Sequence, residues 1–202
     1  MKKNNYKKVY QFKIVLEGSK PVIWRRIQVP ENYTFWDLHV AIQDSMGWCD
    51  CHLNQFETIS VRPREIQYIG MPSDEFTETE ILAEWEERIS DWFSLDKRKA
   101  MRYNYDFGDN WNHKITFEKI LPKEEKTKYP ICIAGARACP PEDSCGINGY
   151  YNLLEIINNP QDEEYEEKME WLGGGFDPEE FDLKEVRFDS PKKRLKELFS
   201  NE

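Results

Sequence analysis

Residues 101–121 decide the fold class: Met-Arg-Tyr-Asn-Tyr-Asp-Phe-Gly-Asp-Asn-Trp-Asn-His-Lys-Ile-Thr-Phe-Glu-Lys-Ile-Leu. On both sides of Gly108-Asp109-Asn110, apolar side chains recur at every second position, the period of a half-buried strand. A hairpin with a three-residue loop pairs 107 with 111 and Tyr105 with His113. Its apolar face then holds Met101, Tyr103, Tyr105, Phe107, Trp111, His113, Ile115 and Phe117. A two-residue loop would split that set across both faces, a heavy cost for a sheet with one buried side. Asn110 can supply the left-handed residue of the longer loop.

Working outward, Tyr6–Leu16 and Val22–Val29 alternate in the same way and flank the turn at Glu17–Pro21, giving a second hairpin. Thr34 with Asp37 three residues later is a capping box, and Gly47 suits the position after a helix, which predicts a helix over 35–46 laid on that hairpin. His52–Val61 and Ile66–Ile69 read as strands, and Glu78–Trp92 carries a nearly helical apolar stripe. Tyr129–Ile133, interrupted by Pro130, reads as an edge strand. Residues 134–149 are irregular, and helices follow at Tyr150–Ile157, Gln161–Leu172 and after Pro191. The expectation is one α+β domain over residues 1–202. It has a mostly antiparallel or mixed, roll-like sheet in about 6–133, one helix on the N-terminal hairpin and several C-terminal helices. Phe12, Ile14, Leu38, Ile42, Tyr105, Ile115 and Phe117 should form one core.

The 202 residues carry a formal charge of −10, with 28 basic against 38 acidic side chains. Most of the excess lies in Asp162–Glu170 and Asp177–Glu185. This balance argues against nucleic acid as the main partner. No apolar run is long enough to span a membrane. The basic N-terminal residues lack the apolar stretch of a signal peptide, so a cytoplasmic location is expected. The five cysteines are then expected as thiols.

Four groups of residues carry candidate chemistry. Asp106, Asp109 and His113 suggest a carboxylate-oriented base, but the strand register sends Asp106 and His113 to opposite faces. With His39 and His52 they form the weak catalytic set of a hydrolase reading. Cys49, Cys51, Cys139 and Cys145 offer soft metal ligands without the Cys-x2-Cys spacing of structural zinc, so no cofactor is expected and zinc is the alternative. Trp24 and Arg26 share one strand face, either as an exposed anchor or with Trp24 under the C-terminal helices. The long loop stiffened by Pro140-Pro141 presents Glu142 and Asp143, which either cap the next helix or pair with Arg137, or face a basic protein or a cation.

Four segments together carry a family resemblance. They are Pro21-Val-Ile-Trp-Arg-Arg-Ile27, the run Gly47-Trp48…His52-Leu53…Phe56, the hairpin Tyr103-x-Tyr-Asp-Phe-Gly-Asp-x-Trp-x-His113, and Ala138-Cys-Pro-Pro-Glu-Asp143…Gly149-Tyr150. From about Tyr6 to Val186 the chain resembles the plasmid pRi ORF-three-like family, whose members are labelled insertion-element passenger or TnpR-like proteins. Where that family usually has two glycines after the Glu-Asp-x step, this chain has Cys145-Gly146. The resemblance implies an α+β roll and no established activity. Nothing in the residues supports the resolvase label, since the chain is acidic and has no basic recognition helix. A non-enzymatic binding module is the preferred reading, with a metal-assisted or His/Asp hydrolase as the alternative.

Overall fold

A computed structural model describes residues 6–60, 62, 65–72, 80–96 and 99–200. Its eight strands are β1 (Lys8–Leu16), β2 (Trp24–Pro30), β3 (Asn54–Thr58), β4 (Tyr68–Gly70), β5 (Ile81–Ala83), β6 (Ala100–Tyr105), β7 (Trp111–Pro122) and β8 (Ile131–Ala136). They form one sheet in the order β5-β4-β3-β6-β7-β1-β2-β8, antiparallel except for the parallel pair β4–β5. Among the described residues five helices complete the α+β fold: α1 (Phe35–Met46), α2 (Ile89–Trp92), α3 (Gly146–Ile157), α4 (Tyr165–Trp171) and α5 (Pro191–Leu198). No helix among the described residues is long and apolar enough to cross a membrane.

The core forms because one face of the sheet and one face of α1 are apolar at their own periods. Phe12, Ile14, Ile115 and Phe117 from the sheet and Leu38 and Ile42 from the helix are fully or almost fully buried in one cluster, as is Tyr105. Rings interlock across it, with Phe35 4.9 Å from Phe56 and Phe56 4.7 Å from Tyr103. The capping box at Thr34 and Asp37 is complete, and Gly47 closes α1 with φ 92°.

Several expectations need correction. The central hairpin pairs Tyr105 with Trp111 and Tyr103 with His113, two residues away from the expected register. Asp106 adopts φ 57° and turns the chain out of the strand. The five-residue loop then closes through Asn110 N–H to Asp106 O at 2.6 Å. Because a two-residue shift preserves the pleat, the apolar face survives, and only Phe107 is displaced, to 54 % exposure.

The segment 78–92 is not one helix. Within its described part, from residue 80, β5 is followed by a turn and the single-turn α2. The Glu84 and Glu87 carbonyls accept from the Trp36 and Phe35 amides, at 2.9 Å each. These are orphan donors at the start of α1, and a helix over 84–87 would have consumed their acceptors.

The C-terminal boundaries also move. α3 starts at Gly146 rather than Tyr150, and α4 is shorter than Gln161–Leu172. The Asn159 and Asp162 carboxamide and carboxylate bind the amides of Gln161 and Glu164 in turns that compete with helix there. The strand read over His52–Val61 is confined to β3, and Val61 lies outside the described residues.

Leu38→Ala should cost roughly 2–5 kcal/mol in urea unfolding, because the side chain is fully buried between helix and sheet. A loss below about 0.5 kcal/mol, the size of an ordinary surface substitution, would show that α1 does not seal this face.

Candidate functional site

The irregular segment between β8 and α3 folds back over the end of the central hairpin and is held there by its own polar groups. Trp48 Nε1–H donates to Pro140 O at 2.9 Å. The Glu142 carboxylate accepts from the Tyr105 hydroxyl at 2.5 Å and from the Cys49 amide at 2.7 Å. Ser144 donates to Pro141 O at 2.8 Å. Gly149 is required where α3 leaves the loop, since a Cβ there would lie 1.9 Å from Ser144 O. Burial first, then the Glu142 carboxylate, push the Tyr105 hydroxyl pKa well up, so the phenol stays protonated as the donor. The same carboxylate pushes the Cys49 thiol up.

Asp143, the next residue, has φ 59° and projects toward the hairpin end. Its Oδ1 lies 3.1 Å from His52 Nε2, and Asp106 Oδ2 lies 3.7 Å from the same nitrogen. Asp106 is fixed by its other oxygen, which accepts from Gly108 N–H at 2.9 Å. The His52 ring stands edge-on to Tyr105, with centroids 5.8 Å apart. One ligand atom each from His52, Asp106 and Asp143 can lie within 4.8 Å of the others. Among the described residues these three form a cluster of metal-ligating type. Asp106 is nearly buried, His52 is partly exposed, and the Asp143 side chain is 70 % exposed, so the cluster opens to solvent on one side.

The other candidate residues lie elsewhere. His113 is fully buried, and neither ring nitrogen makes a hydrogen bond. Its ring packs T-shaped against Trp48, and the histidine that Asp106 faces is His52. Asp109 lies in the hairpin loop. His39 is buried between the Tyr103 hydroxyl and Asp50, at 2.7 Å on each ring nitrogen. Trp24 is not under the C-terminal helices: it sits on the sheet's other face, with the Lys13 ammonium 4.9 Å and the Arg26 guanidinium 5.2 Å from its centroid. Arg26 is engaged by both oxygens of Glu118, at 2.7 and 2.9 Å. Arg137 pairs with Glu179 rather than with Glu142 or Asp143, and α3 begins without a side-chain cap.

The four candidate cysteines are free thiols. Cys49, Cys51 and Cys145 are exposed, whereas burial pushes Cys139 up to about 12, which removes it as a nucleophile.

Sequence reasoning missed Tyr105 as the donor that anchors the loop; it groups Arg25 with Trp24 and Arg26 as an exposed anchor and Glu84 with a solvated acidic block, whereas both are buried. Arg25 is buried on the core face, with its guanidinium on the carbonyls of Ser45, Trp24 and Ala136 and 3.9 Å from the Phe181 centroid. Its alternation with Ile23 and Ile27 was the available signal.

Burial lowers the His113 pKa to about 4, below the ~6.5 of an unfolded chain. The unfolded state therefore binds more protons between those values. Stability is full above about pH 6.5 and falls as pH drops toward 4, by roughly 3 kcal/mol from this group. In His113→Phe that part of the acid sensitivity should vanish from urea unfolding measured across the window. An unchanged slope would mean His113 is accessible to protons in the native state.

Comparisons with known proteins place the chain among relatives of unknown function. The match to the plasmid pRiA4b ORF-3-like family runs over residues 8–185. The uncharacterized protein y4hQ of Sinorhizobium fredii is 31 % identical over 192 residues, covering 94 % of this chain and 92 % of that protein. The crystal structure of MM3350, a protein of unknown function from Methanosarcina mazei Go1, superposes with a TM-score of 0.82 at 48 % identity, covering 91 % of this chain and 100 % of that one. The chain belongs to the plasmid pRiA4b ORF-3-like family.

Proposed function

We propose that this protein is a binding module that captures a divalent cation where its Pro-Pro-Glu-Asp loop closes on the central hairpin. One observation carries the reading: a single imidazole nitrogen, His52 Nε2, faces an oxygen of Asp143 at 3.1 Å and one of Asp106 at 3.7 Å. Two donors bound tetrahedrally at about 2.1 Å from one ion are roughly 3.4 Å apart, between those two separations. The donor set, one neutral nitrogen and two carboxylate oxygens, suits zinc or manganese better than a thiolate-seeking metal. Asp106 is preset by Gly108, and Asp143 is carried on a loop anchored by Glu142, so little ordering is required when the ion arrives.

Of the two partners expected for this loop, a cation fits better than a basic protein. Glu142 is already engaged by Tyr105 and Cys49, and Asp143 faces an imidazole. A hydrolytic reading is favoured by one feature: three protein donors leave a position open on the exposed Asp143 side, where a bound water would be activated. Turnover of p-nitrophenyl phosphate that requires the metal would establish it over a binding role.

Isothermal titration of chelator-stripped protein with Mn²⁺ and Zn²⁺ tests the site. The wild type should bind one ion, and Asp143→Asn or His52→Gln should weaken binding at least about tenfold. Cys49→Ser with Cys51→Ser should leave it unchanged, which separates the site from the exposed thiols. No uptake by wild type, or equal uptake by the Asp143 and His52 variants, would reduce the cluster to a His–carboxylate latch on the loop.

A further inference from the structure

A cleft of about 450 Å³ is lined by the 49–54 segment, His52 included, together with α5, and reaches Glu84, Asn54, His39 and Asp50. Glu84 is fully buried, and its Oε2 has no hydrogen-bond partner. Asn54 donates to the other carboxylate oxygen over a long 3.4 Å, which leaves Asn54 Oδ1 unpartnered as well. Two neighbouring side chains that line one cavity thus carry unmet, buried acceptors.

Three of the residues around them have their donors committed. Both His39 nitrogens are taken, by Tyr103 and Asp50. Arg194 is held by Asp44, Asp50 and Asp189, at 2.5, 3.2 and 2.9 Å. Trp36 Nε1–H goes to Pro191 O at 2.9 Å.

We propose that this cleft binds a small organic cation, with its ammonium or guanidinium group donating to Glu84 Oε2 and Asn54 Oδ1 and its carbon chain lying against Trp36 and Leu198. Both candidate head groups carry several N–H donors and no acceptor, the complement of two orphan acceptors. An anion is disfavoured because the carboxylates of Glu84, Asp50 and Glu197 line the cavity against the one committed cation, Arg194. A metal ion fits worse than an organic cation: among the described residues the cluster of metal-ligating type does not include Glu84. Burial raises the Glu84 pKa, partly offset by His39, and a cation seated on Oε2 would favour the ionised form that burial disfavours. No residue of α5 is buried, so its last turn is the part of the wall that yields as the ligand enters.

Thermal unfolding of the full chain with agmatine, putrescine, Nα-acetyl-lysine amide and, as control, sodium butyrate tests the proposal. At a hundredfold excess over Kd the wild-type Tm should rise by roughly 5 °C with at least one of the cations and not with butyrate. A rise with agmatine or putrescine identifies a free amine, and one confined to the lysine derivative identifies a protein side chain. Glu84→Gln should abolish the rise. Leu198→Trp, which narrows the cleft and keeps Glu84, should do the same with an unchanged circular dichroism spectrum. Asp143→Asn, outside the cleft, should keep it. No rise with any cation, or an equal rise in Glu84→Gln, would overturn the proposal and leave the two oxygens to a buried water.

Discussion

The Glu142 carboxylate is the joint on which the functional end of the molecule turns. It binds the Tyr105 hydroxyl, whose ring is in the core, and the Cys49 amide, which follows directly on α1. Sheet, helix and loop therefore meet at one charged group. Hydrogen bonds to a charged partner contribute about 1.5–3 kcal/mol each, against less for neutral ones. The rigidity of Pro140-Pro141 and the bond from Trp48 to Pro140 O lower the entropy that Glu142 must overcome. Tyr105 suits the task because a phenol can be buried by its ring and still present a donor at the edge. Asp143 then needs only its left-handed backbone to face His52, a conformation Asp tolerates better than most side chains.

What the sequence made legible follows from the range over which each signal acts. Helix α1 was read to its exact ends because Thr34, Asp37 and Gly47 are local instructions that act within one turn. The core faces were legible because a period of two survives a two-residue slip, so Tyr105, Ile115 and Phe117 stayed inside while the pairing itself was misread. The slip came from Asp106. Gly108 advertised the turn, but the chain left the strand earlier, at an Asp that bonds to Gly108 N–H and occupies φ 57°. The apolar stripe over 78–92 leaves its structure open because carbonyls of this segment serve the start of α1, a demand that local periodicity does not carry. The candidate site was half legible. Its stiff loop and its acids stood out, but nothing in spacing said that His52, rather than His113, would be the histidine they face.

The two buried charges that the sequence reading puts in solvent are treated by the fold in opposite ways. Arg25 is a cation without a carboxylate partner, yet three backbone carbonyls and the Phe181 ring surround it. Its needs are met from within, and burial lowers its pKa without leaving a donor stranded in a cavity. Glu84 is the mirror case: an acid lining a cavity, whose second oxygen, like the amide oxygen of its neighbour Asn54, has no donor. The unpartnered nitrogens of His113 differ again, because burial keeps that imidazole neutral and the cost of leaving it unpaired is that of a neutral group. A carboxylate lowers that cost by holding a proton or by meeting a donor, and a donor group with several N–H bonds can serve Asn54 Oδ1 as well. The chain can thus complete Arg25 with its own backbone, while His39, Arg194 and Trp36 beside Glu84 are committed elsewhere, and that asymmetry is what separates a structural charge from a binding one.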